Sequence, residues 1–110
     1  MFLYHFSDCD VDILQPMIGK NRHDGEDPLA VDKPVIYLTN CSDMIIDGQR
    51  RLFRYTVEID LNDPQLKPDR LFNQMMEGNK NIGEPQWFFY IYFTSITPVK
   101  KEKWNGKCYL

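Results

Sequence analysis

The side chains best able to do chemistry are few: two histidines, His5 and His23, and three cysteines, Cys9, Cys41 and Cys108. The cysteines are odd in number, far apart and without a CxxC pair, which points to reduced thiols rather than a disulfide framework or a metal knuckle. Neither histidine has a Cys, His or Asp at metal-ligand spacing on its own element, so no metal site is expected. Cys9 and His5 would form a nucleophile and base only if the fold joined them, and the sequence gives no reason to prefer that over chance. Asp8, Asp10 and Asp12 alternate but lack the central glycine and final glutamate of a calcium loop, and they read as a solvated face. No nucleotide-binding glycine fingerprint, P-loop, HExxH or GxSxG elbow occurs.

The pair that stands out is His5 with Tyr37. Each lies inside an aromatic, strand-like run and joins a flat apolar body to a hydrogen-bonding tip, a combination able to clamp a nucleotide. Read from the residues alone, packing is the favoured role, with each side chain bonded to a backbone group.

These residues need elements to hold them. Phe2 to Phe6 is short and aromatic and reads as a strand buried on both faces. Ser7 with Asp10 resembles a capping box ahead of Val11, Ile13 and Leu14, so a short helical turn is expected before Pro16. The polar stretch from Gln15 to Lys33 is long for a compact domain and is a candidate ligand lid or a mobile surface loop. Val35 to Thr39 is a second strand, central in character. Beyond it the sequence leaves two readings open: a turn capped by Ser42, or a hairpin at Asp47-Gly48.

Leu52 to Leu61 alternates with period two and is the clearest strand. Pro68 opens a predicted amphipathic helix carrying Leu71, Phe72, Met75 and Met76, with Gly78 as its stop. The methionine pair there reads as core filling. Gln86 to Ile96 is a long aromatic strand, followed by Pro98 and a basic tail. An aromatic row of this kind can stack bases, but that mode needs a basic surface around the rings, and an ordinary hydrophobic strand is favoured. The expected fold is α+β: one domain over residues 1–110, with a central, largely antiparallel or split sheet and a few short helices.

In this order of elements the chain resembles small ADP-ribosyltransferase-like domains. The resemblance is carried by LYHFS around His5, the DVDIL-P segment ending at Pro16, PVIYLTN around Tyr37, RYTVEIDL from Arg54 to Leu61, and EPQWFFYIYFTSITP ending at Pro98. In the His-Tyr-Glu branch of that family the histidine bonds a ribose hydroxyl of NAD, the tyrosine packs on the nicotinamide, and a late glutamate positions the ribose. The resemblance therefore implies that His5 and Tyr37 bind NAD as cofactor. For the third, catalytic position it offers Glu84 and Gln86. Gln86, directly before Trp87, is the better positional match and puts an amide where the family has a carboxylate. An amide carries no charge to stabilise an oxocarbenium-like transition state, so catalysis would be weakened or lost unless Glu84 supplied it.

Size and composition bound the rest. A chain of 110 residues fits one domain, and 43% hydrophobic with 14% aromatic residues is enough for a core. A formal charge of −3 disfavours nucleic acid, despite local clusters at Arg50, Arg51 and Arg54 and at Lys100, Lys101 and Lys103. No basic region leads into an apolar stretch at the N-terminus, and Trp87 to Phe93 is too short to span a bilayer, so a cytoplasmic domain without membrane contact is expected. Two functions are compatible with these residues. One is an ADP-ribosyltransferase-like domain that binds NAD or a related nucleotide and transfers ADP-ribose to a macromolecule. The other is a non-catalytic module that binds a protein partner through its acidic and aromatic surface.

Overall fold

In the computed structural model, residues 1–17, 34–45, 48–69 and 88–110 are described. They contain six strands: β1 Phe2–Ser7, β2 Ile36–Thr39, β3 Phe53–Glu58, β4 Leu66–Pro68, β5 Phe89–Tyr92 and β6 Lys100–Lys103. All pairings are antiparallel, in one sheet of order β4-β5-β2-β1-β3-β6.

This corrects the expected α+β class: the described residues form an all-β domain without a helix. The turn expected after Ser7 does not form, because its supposed capping groups have other partners. The Ser7 hydroxyl accepts from the Cys9 amide at 3.0 Å, and Asp10 pairs with Lys101. Such local side-chain bonds offer the backbone an alternative to helix. Leu14 instead makes an antiparallel bridge with Ile96. Pro68 ends β4 at the edge of the sheet, where a missing N–H leaves no ladder bond unmade. The helix predicted after it, with Met75 and Met76, lies outside the described residues, as does most of the candidate lid.

Strand positions match the sequence pattern more closely than strand lengths do. The alternating run from Leu52 to Leu61 is regular strand only over Phe53–Glu58, and the aromatic run from Gln86 contributes Phe89–Tyr92. Gly48 has the positive φ expected at a turn, 75°. No hairpin joins its flanking strands, however, since β2 and β3 lie on opposite sides of β1. The basic tail folds as β6, paired with β3 through Arg54↔Glu102 and Tyr55↔Lys101.

Period-two geometry sorts the side chains onto two faces. Leu3, Ile36, Leu38, Phe53, Tyr55, Val57, Leu66 and Tyr92 share one face and form the main core with Leu14 and Ile59. Chain segments cross this face and seal it: Leu14 and Ile96 exchange two backbone bonds above it, and the Tyr92 hydroxyl donates to Asp63 at 2.9 Å.

On the other face Val35 and Ile91 form a small buried cluster with Phe93 against it. Near β6 the C-terminus folds back there. Lys103 and Leu110 exchange backbone bonds, and Tyr109 packs on Phe6 and Trp104. Among the described residues no helix is long and apolar enough to cross a membrane.

Candidate functional site

His5 and Tyr37 sit on the two central strands, and their main chains adjoin. The ladder between β1 and β2 registers one pair, Tyr4 with Thr39. Beyond it the His5 ring takes over the pairing: its Nδ1 lies 2.7 Å from the Tyr37 carbonyl oxygen. A carbonyl can only accept, so Nδ1 carries the proton and donates.

The two side chains, by contrast, leave the sheet on opposite faces. His5 pairs in register with Tyr55, and the two rings stand 6.1 Å apart on the core face. Tyr37 alternates with Ile36 and Leu38, which belong to that core, so its ring projects from the other face, where it is 39% exposed. Burial lowers the His5 pKa below its usual value, and the Tyr37 carbonyl opposes that shift in part. The half-buried His5 ring lies beside Tyr55 and bonds a backbone carbonyl. Glu84, Gln86 and His23 lie outside the described residues.

The other reactive side chains hold one another. Asp8 accepts from the Leu52 amide at 2.9 Å and pairs with Arg51. Asp10 and Asp12 both face Lys101, and Asp10 raises its pKa. The alternating carboxylates therefore clamp the segment after β1 to Arg51 and Leu52, just before β3, and to Lys101 of β6. Among the described residues no group of three or more His, Cys, Asp or Glu side chains could hold a metal ion. Cys9 and Cys108 are exposed and Cys41 is buried, where desolvation raises its thiol pKa.

Residue-by-residue reading missed the most organised polar cluster, which surrounds Arg54. Its guanidinium donates to Glu102 at 2.8 Å and to the Ser42 carbonyl at 2.6 Å, and it lies over the rings of Tyr109 and Tyr4 at 4.9 and 5.8 Å. Beside it Arg50 stacks on Trp104 at 4.5 Å and pairs with Asp43. The basic clusters noted in the sequence are in large part neutralised, and a repeated Arg-aromatic juxtaposition across distant segments was the only available signal.

A depression lined by Met1, Glu58, Ile59, Asp60 and Leu61 opens at the N-terminal end of β1 and is wide open to solvent. It adjoins neither His5 nor the Arg54 cluster in the sheet register. No family model matches the chain, and neither a curated protein nor a solved structure matches it.

Proposed function

We propose that this chain is a non-catalytic protein-interaction module. The observation that carries the reading is the separation of His5 and Tyr37 onto opposite faces of the sheet. Two side chains that leave a sheet in opposite directions do not grip one small ligand, and His5 already spends its Nδ1 proton on the backbone. Among the side chains the domain offers to solvent are three aromatic ones, Tyr37 at 39%, Phe88 at 40% and Phe2 at 54% exposure, on a chain of net charge −3. Aromatic side chains of this kind anchor protein interfaces because they bury a large area at low entropic cost.

The ADP-ribosyltransferase-like reading has one observation in its favour, the adjoining main chains of His5 and Tyr37 at the parted β1/β2 ladder. It requires the His5 ring to leave the core face and NAD to be held there with Glu84 or Gln86 facing the ribose. Calorimetric titration with NAD separates the two readings. The module reading expects no saturable heat with the wild-type protein. It also expects a photo-crosslinking side chain at position 37 to give a discrete protein adduct in cells, one that reforms with the purified partner. Saturable NAD binding that is lost in folded Tyr37→Ala overturns it, as does the absence of any discrete adduct.

A further inference from the structure

Ion pairing in this domain passes over two neighbouring carboxylates. Asp8 pairs with Arg51, Asp10 and Asp12 with Lys101, Asp43 with Arg50, and Glu102 with Arg54 and Lys100. Asp63 takes the Tyr92 hydroxyl. Glu58 and Asp60 pair with no cation among the described residues, and both line the depression at the N-terminal end of β1. Lys100, which stands opposite Thr56 on the neighbouring strand, lies 3.5 Å from Glu102 instead.

Around these two charges the surface is apolar. Met1, Phe2 and Leu61 are 47%, 54% and 50% exposed, although Ile59 between the carboxylates is buried in the core. Phe2 stands directly opposite Glu58 in the β1/β3 register, so the two side chains share a face. The Ile59 amide donates to the Met1 carbonyl at 2.9 Å and ties the two rims of the depression, whose volume is about 480 Å³. Exposed apolar side chains rimmed by polar ones mark interaction surfaces.

We propose that this depression docks a cationic, apolar segment of a partner protein, one that carries lysine or arginine beside large aliphatic side chains. The proposal rests on the protein-interaction reading above and names the surface and the chemistry of the partner. Charge complementarity selects the occupant: its cations meet Glu58 and Asp60, while their aliphatic stems and apolar neighbours cover Met1 and Leu61. A two-fold contact between copies of this chain would set Glu58 and Asp60 against their own equivalents, and like charges in that position disfavour it. Nucleic acid and anionic lipid meet the same repulsion.

The test is an amide NMR titration of the full chain with a short blocked peptide of paired lysines and leucines. Two control peptides carry glutamate in place of lysine or serine in place of leucine. Saturable shifts should gather at Met1, Phe2 and Glu58 to Leu61, weaken as salt is raised, and be absent with either control. The double variant Glu58→Gln with Asp60→Asn keeps the shape of both side chains and should bind about fivefold more weakly, as loss of two exposed ion pairs predicts. Shifts spread over the whole surface, equal binding of a control peptide, or unchanged affinity in the folded double variant overturns the proposal. So does a peptide-free shift of the same amides with rising protein concentration, which assigns the surface to a second copy. If the double variant does not fold, the control peptides decide. Failure of the titration while position 37 still gives its discrete adduct overturns this surface and leaves the module reading standing; loss of both overturns the module as well.

Discussion

At the residue scale, polar side chains serve the backbone as much as one another. Tyr55 is the clearest case: its ring is fully buried and its hydroxyl holds the Cys9 carbonyl and the Val11 amide, fastening the segment after β1 over the core face. Tyr55→Phe keeps the ring but strands two backbone groups, and should cost roughly 1–3 kcal/mol in urea unfolding, reduced to the extent that water reaches them. Glu102 is buried beside Arg54, whose side chain is 19% exposed. Removing one charge of a buried pair costs about 3–5 kcal/mol, and the residual exposure and aromatic faces left to Arg54 bring the expected loss for Glu102→Gln to about 2 kcal/mol. The double change Arg54→Met with Glu102→Leu should cost less than Glu102→Gln alone, because it leaves no uncompensated charge. Guanidinium unfolding of the three proteins checks this order.

At the element scale, both outer strands limit pairing with another chain. β4 is three residues long and ends in Pro68; β6 carries Lys100, Lys101 and Lys103, and Leu110 takes the Lys103 backbone groups. Short, charged or covered edges resist sheet extension. The C-terminal return is also a packing element. Tyr109 is 5% exposed, contacts Phe6, Trp104 and Arg54, and donates to the Arg51 carbonyl at 2.7 Å. Tyr109→Ala should therefore cost about 3–5 kcal/mol, as loss of a buried aromatic does, whereas Lys107→Ala on the exposed turn should stay within about 0.5 kcal/mol. Thermal melts of both variants test whether the C-terminal return holds β6 in place.

At the scale of the whole molecule, one core joins the two halves of the sheet: Leu3, Tyr55 and Val57 from one side pack with Ile36, Leu38, Leu66 and Tyr92 from the other. Global unfolding should thus be a single transition, with coincident fluorescence and circular dichroism curves. The β1–β3, β2–β5 and β3–β6 pairings each join strands that are not consecutive in the chain. Loops must close before such pairings gain anything, so stopped-flow refolding should fall in the range of about milliseconds to seconds usual for non-local β topologies. Microsecond refolding would contradict this order of strands.

Local pattern made the central strands legible. The aromatic run around His5, the β-branched run around Tyr37 and the alternation from Phe53 need no information beyond their own residues, since a period of two declares a half-buried strand wherever it occurs. β6 was illegible for the converse reason: Lys100–Lys103 has one buried residue, Glu102, whose hydrogen-bond partner is Arg54, 48 positions earlier in the chain. β4 is three residues around a proline and leaves no pattern. Composition likewise marked His5 and Tyr37 as worth attention, but spacing within a strand does not say which face meets which neighbour. That was decided by register, which turned His5 to the core and Tyr37 to solvent while bringing the His5 ring onto the Tyr37 carbonyl. The sequence alone determined which segments extend and which side chains are able to bond. Only the tertiary structure determined what they bond to, because partners across a sheet are fixed by strand order rather than by distance along the chain.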